Sequence, residues 1–279
     1  ITPADYELSL DGKTLVKWKN KNTKSIDMQS DEILKKVTAI GDYAFEDISV
    51  KAVVLPSELK IIGKGAFKNN KLVVLDIPNK VTDVKEFAFL GNELKSVTIA
   101  NSVVNLEEGA FAENNLTAVN LPANITTIAK NLFSNNELVS ITIPNGVITI
   151  GSGAFKENNI ESLSLPASVK KIEGWAFDVN RLKTILIPEV VTTIGIQAFY
   201  NNRLKTVTLP TTLSEIGTLA FSKNSNLETA TFLGTTPPTF LLGSKIFEDT
   251  AIAHFYVPTA SIAAYKTAFP SYQDLITAK

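Results

Sequence analysis

The sequence predicts an α/β repeat solenoid in which short parallel strands, joined by short helical or 3₁₀ turns, stack coil on coil and dominate the secondary structure. Three observations carry this expectation. Phenylalanine recurs every 22 residues, at Phe45, Phe67, Phe89, Phe111, Phe133, Phe155, Phe177, Phe199 and Phe221, with alanine before each except Phe133, which follows Leu132. Proline keeps the same period at Pro56, Pro78, Pro122, Pro144, Pro166, Pro188 and Pro210, with Ala100 the one exception. Asparagine keeps it at Asn70, Asn92, Asn114, Asn136, Asn158, Asn180, Asn202 and Asn224. A fixed period of this size marks one supersecondary unit stacked on its own copies.

Each unit reads approximately L-x-x-V-x-L-P-x-x-V-x-x-I-G-x-x-A-F-x-x-N-x. The first apolar stretch alternates, as in Leu75 and Ile77, and β-branched residues fill its central column at Val53, Val97, Val119, Ile141, Ile185 and Val207. That pattern is a short strand with one buried face. Proline then ends the strand, because it has no N–H to extend a ladder. The V-x-x-I segment that follows, as in Val147 and Ile150, fits either a second extended piece or an irregular turn. The G-x-x-A-F stretch spaces its apolar residues as one helical or 3₁₀ turn. Asparagine closes the unit, where it tolerates a left-handed turn and bonds backbone groups, or bonds its own copies as a ladder. One such unit cannot bury enough apolar surface to offset its own ordering entropy, so the copies fold only as a stack.

A stack with open ends exposes apolar side chains and an unpaired strand edge, so atypical caps are expected. Residues 1–36 form the first, a hairpin built from Tyr6-Glu7-Leu8-Ser9-Leu10 and Thr14-Leu15-Val16-Lys17-Trp18 around a tight Asp11-Gly12 turn. The array of 22-residue repeats occupies 37–224. Residues 225–279 hold a degenerate last repeat, with its register slipped by one at Leu227, and a cap. In that cap Phe255-Tyr256-Val257-Pro258 reads as a strand and Ser261-Ile262-Ala263-Ala264-Tyr265-Lys266 as a short helix. The whole is expected to be a single structural domain.

Hydrophobic residues make up 44% and charged residues 20%, which suits a folded chain with a real core. A net charge of −1 gives no global field toward nucleic acid or anionic lipid, so neither is expected as a partner. The absence of cysteine removes disulfides, thiolate metal sites and cysteine nucleophiles together. No apolar stretch is long enough to span a membrane. Ile1-Thr2-Pro3-Ala4-Asp5 is not a leader sequence, so a signal peptide was either never there or has been removed.

The L-P-x-x-V-x-x-I-G-x-x-A-F-x-x-N core stands intact from Leu55 to Asn70 and from Leu209 to Asn224. With the closing Tyr256-Val257-Pro258 and Tyr265-Lys266, it resembles the BspA-type leucine-rich repeats of bacterial surface proteins. The resemblance covers essentially the whole chain, least well in the N-terminal hairpin. It departs from the more familiar leucine-rich pattern in that proline follows the strand and asparagine precedes the next one. It implies a curved leucine-rich-repeat solenoid and an extracellular or cell-surface protein whose leader has been removed. It also implies a non-enzymatic binding or adhesion module that meets a protein or glycan ligand on host or bacterial surfaces through its strand face and flanking loops. A ligand-free structural spacer within a larger surface protein is the alternative.

Chemistry was sought in what the repeat does not explain. Gly63-Lys64-Gly65 and Gly151-Ser152-Gly153 occupy ordinary repeat positions and lack the strand-then-helix context of a phosphate loop. His254 is the only histidine, and no cofactor or metal site is expected. The outward strand positions (among them Val54, Val74, Ser96, Thr98, Thr142, Thr206 and Thr208) include a single acid, Asp76, so paired carboxylates for hydrolysis are missing. Tyr43, Phe87 and Trp175 share a column and read as peripheral packing rather than an adhesive stripe. One asymmetry remains. Arg181-Leu182-Lys183-Thr184 is copied one unit later as Arg203-Leu204-Lys205-Thr206. Stacked coils place these four cations close together, with Tyr200 just before the second copy. As a binding site, Arg181, Lys183, Tyr200, Arg203 and Lys205 would take an anion or an acidic glycan; otherwise they are a solvated face balanced by nearby acids. Lys51 and Lys95 share the lysine column, which Val73, Thr117, Val139 and Glu161 interrupt.

Overall fold

A computed structural model describes residues 1–243 and 245–279. The chain divides into two compact units, Ile1–Leu138 and Val139–Lys279, each a solenoid of stacked coils.

The repeating phenylalanines form the interior of both. In the first unit Phe45, Phe67, Phe89, Phe111 and Phe133 are fully buried, and their rings stack nearly parallel with centroids 4.6 to 5.7 Å apart. In the second unit Phe155, Phe177, Phe199 and Phe221 stack at 5.2 to 5.5 Å, and Phe247 continues the column at 5.9 Å. Phe247 therefore occupies the repeat position despite the longer interval before it.

The V-x-x-I segment is extended, which settles the two readings left open by its spacing. In the first unit Thr14–Trp18, Ala39–Ile40, Ile61–Ile62, Asp83–Val84 and Asn105–Leu106 pair in parallel, one after the next. In the second unit Thr149–Ile150, Lys171–Ile172, Thr193–Ile194, Glu215–Gly217 and Thr239–Leu241 do the same. The strand before proline alternates as expected, but its ladder is interrupted. It pairs Ser25–Asp27 with Ala52–Val54, Val74–Ile77 with Ser96–Ile99, and Ser140–Thr142 with Ser162–Ser164. It runs further only through Thr206–Leu209, Thr229–Phe232, His254–Val257 and Ile276–Ala278. Most ring spacings exceed the 4.7–4.9 Å of paired strands, so coils meet at pairing distance along one flank and intermittently along the other. Where a strand ends, the proline carbonyl accepts the amide three residues on, as Pro78 does from Val81 at 3.1 Å; Ala100 does the same for Val103.

The G-x-x-A-F stretch closes through i to i+3 backbone bonds, such as Ala66 to Gly63 and Lys68 to Gly65. Two residues of positive φ bracket each Ala-Phe pair and stop a helix from continuing. Gly65 (φ 55°) and Asn69 (φ 55°) do so in one coil, and Trp175 (φ 57°) and Val179 (φ 53°) in another. This conformation turns alternate amides along the stacking direction. Gly65, Phe67 and Asn69 donate to the carbonyls of Glu86, Ala88 and Leu90 at 2.9, 2.7 and 2.8 Å. Trp175, Phe177 and Val179 donate in the same way to Ile196, Ala198 and Tyr200.

Rather than bonding one another as a ladder, the amides of Asn70, Asn92, Asn114, Asn136, Asn180, Asn202 and Asn224 each bridge backbone groups of two coils. Asn92 accepts the Leu72 amide on Oδ1 (3.1 Å) and donates from Nδ2 to the carbonyls of Phe67 (2.9 Å) and Phe89 (3.1 Å). The reason is reach: the left-handed turn before each asparagine leaves these buried backbone groups facing its side chain, and their satisfaction takes precedence.

The aromatic column at Tyr43, Phe87 and Trp175 belongs to the first of the two left-handed positions. The Tyr43 ring lies over Gly65 and the Phe87 ring over Gly109, where a Cβ would come within 2.5 and 2.7 Å of ring carbons. A large ring at Tyr43 or Phe87 is thus accommodated by glycine on the next coil, while Trp175 donates its indole N–H to Gln197 Oε1 at 2.7 Å.

At the start, Tyr6–Leu8 pairs antiparallel with Thr14–Trp18. The connection is wider than the tight Asp-Gly turn expected. Gly12 donates to the Ser9 carbonyl at 2.8 Å, which puts Leu10 and Asp11 at the centre of the turn and Gly12 after it at φ 70°. Asp11 fixes this shape by accepting from the Ser9 hydroxyl (2.6 Å) and the Lys13 amide (3.1 Å). Trp18 stacks on Phe45 at 5.5 Å and donates its amide to Ala44, so it joins the aromatic column, and Tyr6 stacks on it in turn at 6.1 Å. At the other end, the strand His254–Val257 and helix Ile262–Ala268 are present as read. The Tyr265 hydroxyl donates to the Gly234 carbonyl at 2.9 Å, and burial pushes its pKa up to about 12. The final strand Ile276–Ala278 was not anticipated.

Val179 is the β-branched residue most at odds with its conformation, since left-handed backbone costs about 1–2 kcal/mol for residues other than glycine and asparagine. Val179→Asn, matching Asn69 and Asn201 at the equivalent position, is expected to stabilise the protein by about 1 kcal/mol in urea denaturation. An unchanged or lower midpoint would show that the turn is not strained.

Candidate functional site

Several charges of the first unit pair from one coil to the next. Glu46 pairs with Lys68, Glu58 with Lys80, Lys64 with Glu86, Lys85 with Glu107 and Glu108 with Lys130, each across one coil. Exposed pairs of this kind contribute little individually, but they leave small net charge on the surface they cover.

The Arg-Leu-Lys copies instead place like charges on adjacent coils. Leu182 and Leu204 are buried and anchor the two segments, which leaves Arg181, Lys183, Arg203 and Lys205 exposed. The segments lie on adjacent coils, with the Arg203 amide donating to the Leu182 carbonyl at 2.9 Å. Phe177 and Phe199 beneath them are 5.5 Å apart, which sets the depth of a coil here. Lys183 Nζ reaches Glu161 Oε2 at 2.8 Å. Among the described residues, Arg181, Arg203 and Lys205 have no carboxylate at ion-pairing distance. The hydrogen bond from Lys183 and its charge hold the Glu161 carboxyl below the usual range, and Arg203 and Arg181 add to the effect. Glu161, read from the sequence as a break in the lysine column, is therefore a functioning member of the cluster. The Lys205 carbonyl accepts the Glu228 amide at 3.0 Å, so Glu228 follows in the same column. The order along the stack is Glu161, Lys183, Lys205, Glu228: two cationic coils bounded by an acid on each side. Its signal in the sequence was the 22-residue offset from Lys183 to Glu161.

Tyr200 is not brought to the four cations in any direct contact. It is half-buried in another column, and the Lys223 ammonium lies 5.3 Å from its ring centroid. Beside it in that column Asp178 is buried, with Oδ2 3.3 Å from Lys156 Nζ and Oδ1 without a hydrogen-bond partner.

The strand face expected as a broad contact surface is polar and exposed at Ser96, Thr98, Thr206 and Thr208. It is interrupted by the missing ladder bonds and carries aliphatic side chains at Val54, Val74 and Leu186. A shallow depression between Ala52–Val54 and Val74–Ile77 is lined by these valines, Asp76 and Pro78. His254 is exposed, with its ring stacked on Tyr256 at 5.9 Å. Among the described residues no group of three or more His, Asp or Glu side chains is placed to hold a metal ion, and no helix is long and apolar enough to cross a membrane.

Stacked short parallel strands, a buried phenylalanine column and an asparagine bridge per coil define a leucine-rich-repeat solenoid. The BspA type leucine rich repeat region matches residues 38–160 and 148–276, and the chain belongs to that family. Its fold is similar to that of the pneumococcal vaccine antigen PcpA (19% identity, 98% of this chain and 80% of that one, TM-score 0.58). It is also similar to that of a leucine-rich repeat protein from Eubacterium ventriosum (20% identity, 91% and 78%, TM-score 0.50). A leucine rich cell surface protein from Faecalibacterium prausnitzii aligns at 22% identity over 92% of this chain and 94% of that one, with a TM-score of 0.49. No curated protein sequence matches the chain significantly.

The Asp178 environment gives a pH test of the coil contacts next to Tyr200. Burial raises its pKa, outweighing the attraction of Lys156. A carboxyl whose folded pKa lies above its unfolded value favours folding at low pH and opposes it as pH rises through the folded pKa. Asp178→Asn is therefore expected to raise the melting temperature at neutral pH, with the gain shrinking on acidification and gone below about pH 4. A less stable variant at neutral pH would mean that the Lys156 pair outweighs desolvation.

Proposed function

We propose that this chain is a non-enzymatic binding module of a bacterial cell-surface or secreted protein, recognising anionic macromolecules on host or bacterial surfaces. The observation that carries the reading is the cluster of Arg181, Arg203 and Lys205, which lie on adjacent coils with no carboxylate at ion-pairing distance among the described residues. Like charges stacked at coil spacing repel, and nothing in the repeat requires them: Arg181 and Arg203 occupy a column that holds Lys71, Glu93, Asn115 and Asn159 in other coils. The flanking loops and the hydroxyl-bearing positions Thr184 and Thr206 extend the contact surface beside the cations. Membership of the BspA-type family supports a place at the cell surface and a role in binding.

The test is an array of glycans and matrix proteins probed with the isolated chain, compared with a variant in which Arg181, Lys183, Arg203 and Lys205 are all alanine. Each exposed charge contributes about 0.2–1 kcal/mol, so the variant is expected to bind about tenfold or more weakly and with a flatter salt dependence. Binding that survives the four changes intact removes the cluster from the account. An array with no ligand at all favours the spacer.

A further inference from the structure

We propose that Asn145 is a site of spontaneous covalent modification, where the side chain cyclises onto the Gly146 amide and then opens to aspartate and isoaspartate. Asn145-Gly146 is the one asparagine-glycine pair in the chain. It forms the apex of the turn after proline, where the Val147 amide donates to the Pro144 carbonyl at 3.0 Å. Both residues are exposed. Among the described residues, neither the Asn145 carboxamide nor the Gly146 amide has a hydrogen-bond partner. Nucleophile and electrophile are therefore adjacent, solvated and unengaged, and glycine presents no Cβ to crowd the approach.

The reaction needs only solvent. Hydroxide removes the Gly146 amide proton and the nitrogen attacks Asn145 Cγ. An N–Cγ bond forms, the Cγ–NH₂ bond breaks, and ammonia leaves. Water then opens the cyclic imide. Breaking the N–Cγ bond gives aspartate, and breaking the bond from that nitrogen to the main-chain carbonyl carbon gives isoaspartate. Other turns lack this combination. Asn79 precedes Lys80 and Asn124 precedes Ile125, whose side chains crowd the attacking nitrogen. Asn101 precedes Ser102, and its Oδ1 accepts the Ala123 amide at 3.2 Å. Asp11-Gly12 has the glycine, but Gly12 donates its amide to the Ser9 carbonyl at 2.8 Å. Asp11 also offers a carboxylate, held by the Ser9 hydroxyl and the Lys13 amide, in place of an electrophilic amide.

Isoaspartate adds one atom to the main chain of a turn whose far end is fixed. Val147 is buried, and its carbonyl accepts the Ser168 hydroxyl of the next coil at 2.6 Å. Coil contacts there loosen in the isoaspartyl form and persist in the aspartyl form, whose main chain is unaltered.

The experiment incubates the isolated chain at neutral and at mildly alkaline pH and follows each asparagine by peptide mass spectrometry. Asn145 is expected to convert about tenfold or more faster than any other asparagine, because only its neighbour lacks a Cβ. The rate rises in proportion to hydroxide, and both aspartate and isoaspartate appear. Gly146→Ala is expected to slow conversion about tenfold or more. It does so without lowering the melting temperature, since Gly146 is not among the residues of positive φ. The separated isoaspartyl form is expected to melt below Asn145→Asp. Conversion of Asn145 no faster than that of Asn79 or Asn101 overturns the proposal, as does a rate that Gly146→Ala leaves unchanged. An isoaspartyl form that melts together with Asn145→Asp overturns the loosening of the coil contacts.

Discussion

Every coil of this protein must hand its backbone hydrogen bonds to the next, and the turn around the phenylalanine is where that requirement is hardest to meet. Three alternate amides, as at Gly65, Phe67 and Asn69, point along the stack because the residues on either side of Ala-Phe take positive φ. The carbonyls and the amide this turn leaves facing inward are buried, and one asparagine amide satisfies them. Asn202 does so by accepting from Leu182 at 3.0 Å and donating to Phe177 at 2.9 Å and Phe199 at 3.2 Å. The buried phenylalanine column, the alternation of large rings with glycine, and the ion pairs across coils all follow once this turn is fixed.

The phenylalanine, proline and asparagine columns were legible in the sequence because each depends on a property that few residues share: ring volume, a missing N–H, a short amide. The left-handed positions were legible only where they hold Gly65, Gly109, Asn131 or Gly153 in the first column and Asn69, Gly91, Asn135 or Asn201 in the second. Leu219, Gln197, Val179 and Lys223 adopt the same backbone without any local preference for it, because inter-coil bonding overrides their propensity. Trp18 was missed as a member of the aromatic column because its interval to Phe45 is longer and its residue type differs. The interrupted ladder of the strand face was also hidden, since the alternating pattern reports burial and not pairing.

Function has to be sought in what the stack does not need. The glycines, asparagines and prolines are accounted for by folding, and several charges by their partners one coil away. The duplicated Arg-Leu-Lys segment stands apart because its leucines serve the core, while of its four cations only Lys183 has an ion-pair partner among the described residues. The sequence grouped Arg181, Lys183, Tyr200, Arg203 and Lys205 as one candidate site. The structure turns Tyr200 into a separate column with Lys223 and Asp178, because the left-handed residue Asn201 intervenes before Arg203. It brings in Glu161 instead.

The central claim is that the asparagine amide, by satisfying buried backbone groups of two coils, holds the stack together. Native-state hydrogen exchange on Asn202→Ala tests it most directly. Removing the side chain leaves the Leu182 amide and the Phe177 and Phe199 carbonyls unpaired in a buried setting, at about 1–3 kcal/mol for each group. The account predicts that the Leu182 amide exchanges much faster in the variant and that the melting temperature falls. Wild-type protection at Leu182 with an unaltered melting temperature would contradict it.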